Sequence, residues 1–252
     1  MSDRSHLHGL ADPILRDTSD RTGAWGGQAE MHLGVLLDFA LARTERDLAT
    51  TLDHLRQSGL RTQDLVDVYI PKAARLMGDQ WCSDGMGFAD VSIGSARLMG
   101  LLRRIERAES RADTAHLSAP TVLVCVADGE QHVMGAMTVA MQVRRLGLDC
   151  RVSVGDTLAQ CRRALSTGHI DAVFVSVSST ERLVPVRKLV ENIRECASRP
   201  LRVVAGGSVA EECEELKSLT GVDFVSSDAA AAVRRCGLTP FDQHGPRAAT
   251  VT

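Results

Sequence analysis

The residues best placed to do chemistry follow the β-branched run 121–127: Asp128-Gly129-Glu130-Gln131-His132-Val133-Met134-Gly135, after which a helical pattern begins. A histidine on a strand-to-helix loop is exposed at the ligand edge of a sheet, where an imidazole nitrogen can bind a metal. Glu130, two residues earlier, can hydrogen-bond the other ring nitrogen, which fixes the tautomer and raises ligand basicity. Gly135 has no Cβ, so a helix can start close to a bulky planar ligand. Taken alone, His132 is an ordinary loop histidine, and two further features change its weight. Ser176-Val177-Ser178-Ser179 ends another β-branched run, and its hydroxyls and amides suit a polar slot. Ala205-Gly206-Gly207 ends a third, where missing side chains permit close backbone approach. Trp81 and Cys82 stand together in the first half, and His6 and His8 lie near the start. Cys82 reads either as a redox-sensitive thiol or as a small buried hydrophobe.

These residues need elements to position them. In the first half, Leu33, Leu36, Leu37, Phe39 and Ala40, then Leu48, Leu52 and Leu55, recur at helical spacing. Thr62 is a plausible N-cap for a third helix through Leu65, Val66, Val68, Tyr69 and Ile70, which Pro71 is expected to kink. Ala89 to Ile105 makes a fourth, and four helices with short connections predict a bundle. The stretch from Glu106 to Pro120 reads as a linker.

Beyond it, runs at 121–127, 150–154, 172–178, 202–207 and 223–227 alternate with helical patterns at 136–146, 158–166, 184–197 and 210–219. The fold class is therefore an all-α part, a four-helix bundle, followed by an α/β part. The latter is a five-stranded parallel doubly wound sheet, Rossmann-like in the flavodoxin-like sense. Such sheets bind ligands at the carboxyl ends of their strands, where the three loops above lie. The expected organisation is an N-terminal arm (1–27), a helical domain (28–112), an α/β domain (118–237) and a tail (238–252).

Composition narrows the function. Net charge is -3, so no global field draws the 252-residue chain to nucleic acid or an anionic membrane. Two tryptophans, one tyrosine and five phenylalanines are too few for a base-stacking platform. The seven cysteines are an odd number, widely spaced and never Cys-x-x-Cys, so they signal neither a disulfide frame nor a zinc site and fit a reducing cytoplasm. No run approaches the length of a membrane span or a secretory leader. A flavin nucleotide fits poorly, because Glu130 stands where a phosphate cradle would be.

The E-x-H-x-x-G run, the serine cluster and the glycine pair resemble the cobalamin-binding domain of methionine synthase and its relatives, over roughly 120–237. The resemblance implies that His132 replaces the dimethylbenzimidazole base as lower cobalt ligand (base-off, His-on), with Glu130 as its partner. The family's usual aspartate is one methylene shorter. It further implies that Ser176 or Ser178 walls the slot for the nucleotide tail, that Gly206 and Gly207 floor it, and that Gly135 admits the corrin.

The helical half, through Pro71, Gly78-Asp79-Gln80-Trp81 and the following helix, resembles the cap that precedes this domain, and Trp81 takes the place of the tryptophan over the upper corrin face. In adenosylcobalamin photoreceptors of the CarH type a Glu-His pair follows at ten and eleven residues. Here those positions are Val91 and Ser92, which are not strong ligands, so hydroxo-, aquo- or light-cleaved cobalamin is expected rather than stable adenosylcobalamin.

The arm, cap and corrin layout is most similar to the AerR/PpaA-type antirepressors of photosynthesis genes. That similarity implies a cytoplasmic, light-responsive regulator that is not an enzyme. It would bind a CrtJ/PpsR-type repressor and not DNA, with His6 or His8 as upper cobalt ligand after illumination. The alternative from the same resemblance is a corrinoid methyl carrier of a cobalamin-dependent methyltransferase system.

Overall fold

The computed structural model describes residues 27–42, 47–112, 119–127, 133–154, 162–166, 169–210 and 215–239. The chain divides into two compact units, Met1–Asp113 and Thr114–Thr252.

The first unit is helical. Helix α1 (Gly27–Leu41) buries Leu33, Leu36, Leu37 and Ala40, the i, i+3, i+4, i+7 stripe of an amphipathic helix. Helix α2 (Leu48–Gln57) starts at Asp47, whose carboxylate accepts from Ala49 N at 3.2 Å and Thr50 N at 3.0 Å. It buries Leu52 and Leu55. The third rod runs through α3 (Thr62–Asp64), a π-helical turn (Leu65–Tyr69) and α4 (Ile70–Cys82). Helix α5 (Phe88–Ala112) closes the bundle with Leu98, Leu101, Leu102 and Ile105. Its Arg97 donates to the carbonyls of Ala40 (3.0 Å) and Ala42, closing the carboxyl end of α1. Gly94 faces Met77, where an added Cβ would sit 2.7 Å from the sulfur, so α4 and α5 meet closely.

Three expectations for this unit are corrected. Pro71 does not lie inside one continuous α-helix as expected: it sits in the first turn of α4, where a missing N–H costs least, and a widened turn precedes it. There the amide of Ile70 reaches Leu65 O across five residues, which brings Leu65 and Ile70 to one buried face. Thr62 is not the cap: Arg61 holds that position without a side-chain bond, and Thr62 is the first helical residue. The stretch after Ile105 does not begin as a linker, since α5 continues to Ala112. Arg103, Arg104, Glu106, Arg107 and Glu109 are good helix formers and extend the helix without an apolar stripe.

The second unit holds a five-stranded sheet, all parallel, in the order β2-β1-β3-β4-β5. Its strands are β1 (Thr121–Val126), β2 (Asp149–Ser153), β3 (Ala172–Ser176), β4 (Arg202–Gly206) and β5 (Phe224–Val225). Helix α6 (Val133–Arg145) lays Ala136, Ala140 and Val143 on one face, against Val122, Val124, Val126, Phe174 and Val204. Helix α7 (Leu183–Cys196) lays Val186, Leu189, Val190 and Ile193 on the other, against Leu123, Cys125, Val173, Val175 and Val203. With both faces covered, β1 is buried at every position, as its unbroken apolar run requires.

The strands are shorter than their apolar runs. β3 ends at Ser176, beyond which Val177 N still donates to Gly206 O at 2.8 Å. The helix expected over 210–219 is a 3-10 turn (Ser208–Ala210) and a short α8 (Leu216–Thr220), with 211–214 outside the described residues. Of the pattern at 158–166 only 162–166 is described, and it is helical. Helix α9 (Ala229–Arg235) has no counterpart in the sequence reading. It starts at Asp228, whose carboxylate accepts from Ala231 N at 2.5 Å. No described helix is long and apolar enough to cross a membrane.

Candidate functional site

In an open parallel sheet, ligands bind where the strand order reverses, here between β1 and β3. Register aligns Val126 with Ser176 and Ser176 with Gly206, so the carboxyl ends of β1, β3 and β4 stand in one row. The first turn of α6 comes up to that row: a Cβ on Gly135 would lie 3.9 Å from Ser176 Oγ, ordinary contact, with nothing nearer. Gly135 itself is exposed. The strand ends that precede the three loops singled out from the sequence therefore share one edge, and Gly135, Ser176 and Gly206 are brought together. Ser178 is half-buried just beyond.

Glu130 and His132 lie outside the described residues. Their flanks are the end of β1 at Val126 and the first residue of α6 at Val133, both at the switch point. His6 and His8 also lie outside the described residues.

The glycine pair has a structural role. Gly207 holds φ +120°, and a Cβ there would meet Val177 O at 2.3 Å. A Cβ on Gly206 would meet Ser226 O at 2.8 Å. What approaches these glycines is the backbone of the neighbouring loops, and that approach draws the ends of β3, β4 and β5 together. Ser226, which the sequence reading passed over, donates its hydroxyl to Asp228 O at 2.9 Å and joins β5 to α9.

Whether the residues suit a cobalamin can be asked of the edge directly. Gly135 is exposed, and among the described residues only Ser176 Oγ comes within contact distance of where its Cβ would be, which suits the approach of a bulky ring. Thr138, one turn further along the same side of α6, buries its Oγ1 without a hydrogen-bond partner. A buried hydroxyl normally has a partner, and a polar ligand atom supplies one. The described residues fit. Thr138 was missed because a threonine in a helix carries no mark of its surroundings in sequence.

In the helical unit, Trp81 is the next-to-last residue of α4 at 48% exposure and Phe88 opens α5 at 69%. Their rings are 6.0 Å apart at 56°. The turn between them is tight: Gln80 O accepts from Gly85 N at 2.8 Å and Met86 N at 3.1 Å, and Asp84 takes φ 58°. Ile93 is 51% exposed, Ser92 is exposed and Val91 half-buried. Large apolar side chains gathered on a surface mark a contact site. Phe88 shares this surface with Trp81 and was not singled out from sequence, since a phenylalanine fits a core stripe equally well. Cys82 is exposed, which removes its reading as a buried hydrophobe.

Residues 120–235 match the model of the B12 binding domain family. A curated relative, an uncharacterised 20.5 kDa protein in the bchF-crtJ intergenic region of Rhodobacter capsulatus, is 32% identical over 186 residues, 74% of this chain and 97% of that protein. Among solved structures, the monomethylamine corrinoid protein of Methanosarcina barkeri is similar at TM-score 0.61 and 14% identity, covering 81% of this chain and 94% of that one, and this likeness concerns the fold. The chain thus belongs to one family with the Rhodobacter protein, and within it residues 120–235 are a B12 binding domain that follows a helical unit.

Proposed function

We propose that the chain is a cobalamin-dependent, light-responsive regulator that acts on a repressor protein and not on DNA, with His132 as the lower cobalt ligand. The observation that carries the cofactor reading is the row Val126, Ser176 and Gly206 at the switch point, with exposed Gly135 beside it. In this reading Glu130 orients His132, Ser176 and Ser178 receive polar groups of the nucleotide tail, and Trp81 with Phe88 offers an apolar surface to the upper corrin face. A bound cobalamin supplies a cobalt whose upper bond light can break. His6 or His8 answers the vacated position in this proposal, because Val91 and Ser92 offer no strong donor. Support for the regulatory part comes from the relative's place beside crtJ, which suggests a CrtJ/PpsR-type repressor as partner.

The test is reconstitution in darkness with hydroxo-, methyl- and adenosylcobalamin, followed by absorption spectra and repressor pull-down before and after light. The wild type is expected to show a base-off, nitrogen-coordinated spectrum that His132→Ala abolishes. An unaltered spectrum in that variant rejects the lower-ligand assignment. An unchanged light spectrum after replacing both His6 and His8 rejects the upper one. Turnover of a methyl donor on the reduced protein, without repressor capture, would identify a methyl carrier instead.

A further inference from the structure

The opposite end of the sheet, where the strands begin, carries a feature that cofactor binding does not use. Arg199, just before β4, donates to Ile170 O at 2.8 Å and to the Asp171 carboxylate at 2.6 Å. Arg194 donates to Gly221 O at 2.8 Å and stands 3.4 Å from the Asp223 carboxylate. Arg202 opens β4 and Arg235 closes α9, and both guanidinium groups flank the half-buried ring of Phe224, 5.7 and 4.5 Å from its centre. Arg235 also donates to Val225 O at 3.1 Å.

The sheet register ties these residues into one strip. Ala172 is paired with Arg202, and Asp223 N donates to Val203 O, so Arg194, Arg199 and Arg202 stand at the starts of three neighbouring strands, and Arg235 reaches the two-residue β5 beside Phe224. At a strand spacing of about 4.8 Å the strip runs roughly 10 to 15 Å.

All four arginines are exposed, with the side chains of Arg194 and Arg199 at 43% and 54%. A guanidinium has five donors, and the bonds given above occupy only some of them. Asp171 and Asp223 answer two of the four charges. The strip is therefore positive in a chain whose net charge is -3. Cations at helix carboxyl ends compensate the helix dipole, which accounts for Arg194 and Arg235. Arg199 and Arg202 lie beyond the helix end, and their accumulation here has no such origin.

We propose that this strip docks an acidic polypeptide segment, whose carboxylates meet the spare guanidinium donors of Arg199, Arg202 and Arg235 and whose apolar side chain lies against Phe224. Backbone carbonyls already hold Arg194, Arg199 and Arg235 in place, so less side-chain freedom is lost on binding, and planar guanidinium groups suit carboxylates. A nucleic acid is disfavoured, because the strip is too short for the several phosphate contacts that duplex binding uses and the whole chain is anionic. The proposal does not depend on the cofactor, which belongs to the other end of the sheet.

The experiment uses the full-length protein and fluorescence anisotropy with three labelled probes: a short peptide alternating Glu and Leu, its Lys and Leu counterpart, and a short DNA duplex. The acidic peptide is expected to bind, more weakly as salt rises, and to lose about 10-fold in affinity in Arg202→Gln with Arg235→Gln. The double lysine replacement keeps both charges and is expected to retain most of the binding, which guards against a variant that folds poorly. Cobalamin uptake should be the same in all of them. No binding of the acidic peptide, equal binding of the duplex, or an unchanged affinity in the glutamine variant overturns the proposal.

Discussion

At Gly207 a side chain has no room: φ is +120° and the Val177 carbonyl stands 2.3 Å from where a Cβ would be. Gly135 is the converse, a glycine whose Cβ would touch only Ser176 Oγ at 3.9 Å. The two positions separate folding from binding. Gly207→Ala is expected to destabilise the α/β unit by about 3 kcal/mol, from left-handed strain and the carbonyl clash, measured by urea unfolding. Gly135→Ala fits the contact and adds helix propensity, so its stability should be equal to or slightly above wild type. Gly135→Phe places a ring over Ser176 and should lower cobalamin uptake at least tenfold while the free energy of unfolding stays within about 1 kcal/mol of wild type. Retained uptake in that variant would remove Gly135 from the site. Single residues were legible in the sequence where a backbone requirement left a residue type behind, as at Gly206 and Gly207. Thr138 and Ser226 were not, because an unpartnered hydroxyl and a loop carbonyl are consequences of packing.

Periodicity carried most of the elements. The stripes of α1 and α2 and the β-branched runs of β1, β3 and β4 appear in the structure within a few residues of where their patterns place them. The misses share a cause: hydrogen bonding, not hydrophobic spacing, set the outcome. The π-helical turn shifts the phase before Pro71, α5 continues on charged helix formers, and α9 starts on the Asp228 cap.

Caps yield a prediction at this scale. Three donors, first the Thr50 hydroxyl and then the amides of Thr50 and Ala49, hold the Asp47 carboxyl below its usual value of 3.8. A carboxyl depressed on folding contributes stability that is present above its unfolded pKa and is lost as pH falls through the folded one. Asp47→Ala should therefore lower the melting temperature of the helical unit at neutral pH, and the gap to wild type should narrow on acidification below about pH 4. A gap independent of pH would show that the carboxylate charge plays no part in the cap.

For the whole molecule, the division into a helical unit and an α/β unit was readable from the change of period near Pro120, and the strand order 2-1-3-4-5 puts the E-x-H loop at the switch point that the pattern implied. Linkage connects that placement to stability. A ligand that binds the folded chain and not the unfolded one adds about 2.7 kcal/mol at a hundred times its dissociation constant. For a chain of this size that corresponds to a rise of about 5 to 10 °C in melting temperature. Hydroxocobalamin in the dark is expected to produce such a rise in the wild type and a much smaller one in His132→Ala, because the cobalt–imidazole bond exists only in the folded protein. The stabilisation should also grow with the logarithm of cobalamin concentration, which nonspecific adsorption does not produce. A melting curve that cobalamin leaves unmoved at every concentration would mean that the switch-point edge keeps the architecture of a corrin site without its function, and the chain would then be a protein-binding adaptor.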